Sequence, residues 1–443
     1  MEKQNVYEKP VTLKNIMKFA VPTIAMTVFM SFYTMVDGLF VSNLIGTDAL
    51  SAINLTAPVI QLVTAISTML ATGGSAVIMK KMGEKKEEEA REDFTFLILV
   101  NIIVGFFMCG IGYLLVNRIF AGMNLSADVA EYCVAYLNRY LLFTVPILLM
   151  NNFTLYMIAS EKATLSLICS VAGGVLNIVL DYVFIACLDM GISGAATATG
   201  LGYCVTAVTG LIVFRRKKSL LHFKKPVCRL RVLADAAANG CSEMATALVT
   251  GIITMMFNWT MLHYVGENGV AAVTIIMYVL MFASSLYTGY SYGVAPMLSF
   301  YYGEKNGEKL KRLVAVSLKV IAGISVLTVA ASFFLTKPLV SVFARPDNPV
   351  YDLAVTGNRI CTAALLFIGF NIFASGMFTA LSNGVVSAVL AFSRSFVFML
   401  ITMLVLPLVF GVNGIWLATP AAELMALVLS ASLFFRYRRR YGY

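Results

Sequence analysis

The chain has 443 residues, of which 59% are hydrophobic and only 13% charged, and its mean hydropathy is +0.84. Soluble domains carry about a quarter charged residues, so a water-soluble globule is excluded. The absence of alternating ten-residue segments excludes a transmembrane β-barrel.

Apolar runs of 20 or more residues are each long enough for a hydrocarbon core of about 30 Å. In chain order they predict twelve transmembrane helices, at roughly 15–40, 50–79, 94–117, 132–160, 164–188, 192–214, 236–263, 269–300, 314–336, 353–381, 385–410 and 412–435. The fold class expected is therefore an all-α integral membrane protein. The polar arm Met1–Lys14 shows no signal-peptide cleavage pattern, so the first apolar run is read as the first span. The eight cysteines are scattered without metal-ligand spacing and read as small packing residues.

The net charge of +10 is explained by where the basic residues fall. With both termini in the cytoplasm, 26 of the 33 lysines and arginines lie on that side, and only Arg118, Lys337 and Arg345 on the other. That bias sets the expected orientation in the cell membrane and accounts for the charge without a nucleic-acid partner.

A single shift of 220 residues brings the two ends of a long block into register. Gly46 meets Gly266, Gly73 meets Gly293, Gly83 meets Gly303, Asn138-Arg139 meets Asn358-Arg359, and Gly191…Gly194 meets Gly411…Gly414. This predicts two six-helix lobes, residues 1–214 and 232–443, joined by a basic cytoplasmic linker at 215–231. Six spans per lobe is an even number, so both enter from one side, and the repeat is parallel about an axis along the membrane normal. Two such lobes enclosing a cavity suit alternating access.

Asymmetry between the repeats marks candidate chemistry. Asp37 corresponds to Phe257, Asn177 to Val397 and Asp181 to Ile401, whereas Thr199 keeps its hydroxyl at Thr419. The buried acids are thus expected in the N-terminal lobe alone. Asn177 and Asp181, four apart, share one helix face, and a charge at membrane depth costs roughly 2.5–3.5 kcal/mol on insertion scales. Asp37, Asn177, Asp181 and Thr199 supply oxygen ligands for a hard cation such as Na⁺. The same carboxylates could carry a proton instead.

The pattern Pro22…Val36-Asp37…Phe40-Val41…Gly46…Ala49-Leu50…Ala52, then Gly73-Gly74-Ser75-Ala76…Gly83, then Asn177…Asp181-Tyr182…Met190-Gly191…Gly194-Ala-Ala-Thr-Ala-Thr199 resembles the multidrug and toxic compound extrusion (MATE) family over most of the chain. Its DinF/MepA-like branch is the most similar. The resemblance implies a cation site made by Asp37, Asn177, Asp181 and Thr199, which are the metal ligands if Na⁺ is bound. It also implies that bending of helix 1 at Pro22 couples this site to the substrate cavity. The NorM-like branch uses acids on helices 7 and 10. Here span 10 has no acid in its interior and span 7 only Glu243 near its inner end, so no cation site is expected in the C-terminal lobe.

Flexible methionine and aromatic faces suit adaptable binding. The substrate cavity is expected to involve Met30, Tyr33, Asn152, Tyr156 and Arg394, with Asn371 a loose counterpart of the span-4 amides. Gly73-Gly74 and Gly293 are read as close-approach positions between helices. The function expected is multidrug efflux by antiport of organic, often cationic or amphipathic, compounds against inward Na⁺ or H⁺. The alternative is a flippase or exporter of a lipid-linked saccharide or other amphiphile. There is no HExxH, no paired DDxxD and no P-loop, so neither an enzyme nor an ATP-driven pump is expected. The expected partners are small organic substrates and membrane lipid, the protein is expected to act as a monomer, and no cofactor is expected beyond the coupling ion.

Overall fold

A computed structural model describes residues 6–44, 47–121 and 127–443, with backbone alone described at 6, 37–44, 47–51, 117, 121, 127 and 128. Among the described residues every regular element is helical. The first half contains α1 (Leu13–Leu44), α2 (Thr47–Gly83), α3 (Glu87–Ala121), α4 (Ala127–Leu142), α5 (Thr144–Ala159), α6 (Ala163–Asp181) and α7 (Gly191–Arg215). The second contains α8 (Leu230–Tyr264), α9 (Glu267–Gly303), α10 (Gly307–Phe334), the short α11 (Thr336–Ser341), α12 (Pro349–Cys361), α13 (Leu365–Ala380), α14 (Gly384–Phe392), α15 (Met399–Phe410) and α16 (Val412–Tyr441).

Among the described residues, eleven helical stretches are long and apolar enough to cross a membrane, and the bent pair α4/α5 makes a twelfth if taken as one span. Lipid offers the backbone no hydrogen bonds, so the chain crosses as helix throughout. The fourth span, expected as one run over 132–160, is broken at Phe143 and turns by 54°. Pro146 explains the break: it lacks an N–H and crowds the carbonyl of Leu142. The equivalent place 220 residues on is Leu366, and there the chain passes through a single 3₁₀ turn, Thr362–Ala364, inside one span.

The 220-residue register holds in three dimensions. Helices α2 and α9 are both 37 residues long, with ends 220 apart. Lys85 and Lys305 take positive φ values of 62° and 56°, and Gly191 and Gly411 take 56° and 58°. Two elements depart from the register. A π-helical turn follows α6 at Tyr182–Cys187, whereas in the second half it lies between α14 and α15, at Ser393–Phe398.

The halves meet where α2 packs on α8 and α1 on α9. Missing side chains permit this. A Cβ on Gly73 would stand 1.8 Å from the Ala236 carbonyl oxygen, and one on Gly240 1.9 Å from that of Met69. Helices α2 and α9 cross reciprocally at their ends: a Cβ on Gly83 would lie 2.0 Å from the Phe300 oxygen, and one on Gly303 2.0 Å from the Lys80 oxygen. Tyr7, fully buried, donates from its hydroxyl to the Ala159 carbonyl (2.5 Å) and stacks on Phe300 at 4.9 Å. The face that carries the basic loops is thereby sealed by contacts from both halves.

On that same face the segment after α7 is tied down. Arg229 donates to Asp93 (2.8 Å) and Glu92 (2.7 Å) at the start of α3, Lys224 pairs with Glu88, and Lys81 reaches Asp93, whose side chain is wholly buried. Hydrogen bonding to Asp93, then to Glu92, raises the Arg229 pKa above its usual value. The basic linker therefore rests on an acidic helix start.

Candidate functional site

Among the described residues, two polar regions within the helices are candidate sites. The first is formed by α6 and α7. These helices approach closely at Gly173 and Gly202, where a Cβ on either would stand 2.6 or 2.8 Å from the other's carbonyl oxygen. The next residue, Gly174, faces α1 and leaves room for Phe29 and Tyr33. Consecutive glycines thus let α6 receive one neighbour on each side. One turn further, Asn177 donates from Nδ2 to Thr199 Oγ1 at 3.2 Å, and both residues are buried. Asn177 Oδ1 is also buried and accepts no hydrogen bond among the described residues. Asp181, fully buried, ends α6 on the same face, where the π turn begins.

This donor set fits a small cation. An amide oxygen left without a donor, a hydroxyl and a carboxylate are hard oxygen ligands. Among the described residues no group of three or more His, Cys, Asp or Glu comes together, so any such site would rely on amide and hydroxyl groups. Asp37, the fourth residue expected here, lies outside the residues whose side chains are described. Met30, Tyr33 and Thr199 line a pocket of about 20 Å³ between α1, α6 and α7. That is room for about one water molecule.

The second region is a cavity of about 530 Å³, within the range of drug-sized sites. It is lined chiefly by the second half. Thr246, Thr250 and Thr254 form a hydroxyl ladder along α8, while α9 adds Tyr278, Ser284, Thr288, Ser291, Tyr292 and Ser299. Met277, Met281, Leu155 and Ile372 supply apolar wall, and Thr72, Ser75 and Ala76 of α2 close it from the first half. Its two charged lining residues are Glu243 and Arg394.

Arg394 stands in the π turn Ser393–Phe398. Its Nε donates to both carboxylate oxygens of Glu423 on α16, at 2.8 and 3.0 Å. Asn371 on α13 donates to the same carboxylate (2.8 Å) and to the Glu423 carbonyl (2.9 Å), and it accepts from Ser430 (3.0 Å). Each member of this buried network is held by another. An unpaired charge would be costly there.

The expectation that buried acids belong to the N-terminal lobe alone is overturned by Glu423, whose side chain is 7% exposed. A full counter-charge from Arg394 makes its burial tolerable. The signal was a lone acid in the apolar run of the last span, with Arg394 the charged residue available to it in the preceding span. The hydroxyl ladder of α8 was equally readable, since threonines four apart share a face.

Asn152 and Tyr156 lie away from the cavity. Asn152 exchanges amide hydrogen bonds with Asn101 of α3 at 2.9 and 3.3 Å, and the Tyr156 ring packs edge-on against Phe94 with its hydroxyl over Gly74. Two amides that satisfy one another are buried more cheaply than either alone. Pro22 sits within α1, which continues through it as one helix.

The MatE family profile matches residues 22–183 and 244–426. The multidrug export protein MepA of Staphylococcus haemolyticus (strain JCSC1435) is 22% identical over 438 residues, covering 98% of this chain and 96% of that protein. MepA of Staphylococcus aureus (strain NCTC 8325 / PS 47) is 22% identical over 427 residues, covering 95% and 93%. Among solved structures, a MATE crystallised in complex with MaL6 superposes with a TM-score of 0.92 at 23% identity, covering 100% of this chain and 99% of that one. A Pyrococcus furiosus transporter of the MOP superfamily, described as having a binding pocket of reverse polarity that suggests a different function, gives 0.90 at 22%, covering 100% and 98%. These likenesses establish the fold, and with a profile that spans well over half of its length the chain belongs to the MatE family of membrane transporters.

Proposed function

We propose that this protein exports organic, often cationic or amphipathic, compounds across the cell membrane in exchange for inward Na⁺ or H⁺. The observation that carries the reading is the separation of two sites. A small buried oxygen cluster (Asn177, Asp181, Thr199) lies in one half, and a drug-sized cavity lies chiefly in the other. The relatives at 21–22% identity are named multidrug export proteins, which supports an organic substrate.

In this reading residues 1–214 and 232–443 act as two lobes of a monomer, joined by the linker 215–231. Both termini and the basic loops face the cytoplasm in this reading, and the Gly83/Gly303 crossing and Tyr7 join the two lobes on that side. Cation arrival at Asp37, Asn177, Asp181 and Thr199 favours one arrangement of α1, α6 and α7, and substrate favours the other. Each ligand acts only through its difference in affinity for the two states. Pro22 provides the place where α1 bends between them. One charge crossing about 100 mV supplies about 2.3 kcal/mol, or about fiftyfold accumulation of substrate.

The test is dye efflux from cells carrying wild type, Asp37→Asn or Asp181→Asn, with and without Na⁺ and a protonophore. Both variants are expected to lose uphill efflux, and the wild type to respond to one of the two gradients. Full activity in both variants would remove the proposed cation site, and efflux indifferent to both gradients would remove antiport. A second reading, flipping or export of a lipid-linked saccharide or other amphiphile, is favoured by the charged wall at Arg394.

A further inference from the structure

Glu243 and Arg394 are the charged residues that line this cavity. Yet among the described residues they form no ion pair with each other. Arg394 is instead held through its Nε by Glu423, which Asn371 fixes in turn. The two terminal amino groups of the guanidinium make no hydrogen bond to any described residue, and neither does the Glu243 carboxylate. One cavity thus presents a donor edge of positive charge and an acceptor of negative charge, each without a protein partner at its front. Hydroxyls, methionines and aromatic rings fill the surface around them.

The network behind Arg394 is what makes it a receptor rather than a loose surface charge. A guanidinium held at Nε keeps its plane fixed, and its remaining fork of N–H groups matches the two oxygens of a carboxylate. The two halves place their π turns differently: in the second half it carries Arg394, in the first it comes later, at Tyr182–Cys187. At the place equivalent to Arg394 the first half has Gly174, which α1 closes over, and at the place of Glu423 it has Tyr203. Helix π turns commonly mark functional positions.

We propose that the cavity is built for zwitterionic amphiphiles, the ligand's carboxylate meeting the outer edge of Arg394 and its cationic nitrogen meeting Glu243. The proposal rests on the reading of this cavity as the substrate site. In a low-dielectric cavity a ligand with one charge satisfies one wall and desolvates the other. A ligand with both satisfies both.

The probes are a matched fluorescent series: Nε-dansyl-lysine, a zwitterion; its methyl ester, a cation; and its Nα-acetyl derivative, an anion. Each is titrated against the purified full chain by dansyl fluorescence. The zwitterion is expected to bind at least about tenfold more tightly than either relative. Arg394→Gln should weaken the zwitterion and the anion and spare the ester, while Glu243→Gln should weaken the zwitterion and the ester and spare the anion. Arg394→Lys keeps the charge and can still pair with Glu423, so it should hold thermal stability yet lose carboxylate preference. Equal binding of all three probes, or variants that weaken all three alike, would overturn the proposal. No binding of any probe while a cationic dye is still expelled would overturn it and leave the transport reading intact. Neither probe binding nor dye efflux would overturn that reading and the proposal with it.

Discussion

Helices α6 and α7 in the first half, and α14–α15 and α16 in the second, occupy equivalent places 220 residues apart, and α7 starts at, and α16 just after, a glycine of nearly the same positive φ. Their polar contents differ. The first pair buries Asn177, Asp181 and Thr199, and the residues equivalent to the first two are Val397 and Ile401. The second pair carries Arg394 and Glu423 where the first has Gly174 and Tyr203. Space follows chemistry. Gly174 admits Phe29 and Tyr33 and leaves a pocket of about 20 Å³, whereas Arg394 fronts a cavity of about 530 Å³. One scaffold, repeated, buries a small polar cluster in one half and fronts a drug-sized chamber in the other.

The largest break in this comparison is expected from Glu423→Ala. It leaves Arg394 without its counter-charge and Asn371 without its main acceptor. Removing one partner of a buried pair costs about 3 kcal/mol, to be read as a fall in thermal or denaturant stability in detergent. Replacing both partners, Arg394→Leu with Glu423→Leu, should recover most of that loss. A double variant no more stable than the single one would show that the pair is not a self-contained unit.

The seal between the halves offers a sharper test of their equivalence. Gly83 and Gly303 meet each other's helices equally closely, with 2.0 Å from a new Cβ to a carbonyl oxygen in each case. Gly83→Ala and Gly303→Ala should therefore destabilise by similar amounts, about 1–3 kcal/mol each from overpacking. Gly251 has nothing within 4 Å of such a Cβ, so Gly251→Ala should instead be neutral or gain up to about 1 kcal/mol from helix propensity. Unequal losses at the two crossing glycines would mean that the sequence repeat is not matched by a mechanical one.

How much of this could be read from sequence follows the same division. Spans were legible because lipid demands long apolar runs, and the repeat because glycines at helix crossings tolerate no substitute. The bend at Phe143 was written in Pro146. The pairing of Asn152 with Asn101 was not legible, since an amide in mid-helix looks the same whether it faces a cavity or another amide. Nor were the π turns, which have no residue signature of their own. Glu423 was legible in principle: an acid in an apolar span needs a partner, and Arg394 was already in view.

The smallest effect concerns the turn after α5 and its counterpart after α13, where Lys162 and Ser382 stand 220 apart. Lys162 donates from Nζ to Ser219 Oγ at 2.6 Å and lies 5.9 Å from the centre of the Phe214 ring. Burial, and then the charge of Arg216, lower its pKa below the usual lysine value. A base lowered in the folded state binds fewer protons there than in the unfolded chain between the two pKa values, so stability rises with pH across that window. Below it the cost of holding the charge is fully present. Lys162→Met should thus leave stability at pH 7 nearly unchanged, the relieved charge offsetting the lost Ser219 bond. Between pH 7 and 10 the wild type should gain on this variant, whereas Ser382→Ala should keep a constant offset from the wild type. The measurement is thermal unfolding of the three proteins across that range. A Lys162→Met offset that does not move with pH would show that the ammonium is as well solvated in the fold as out of it.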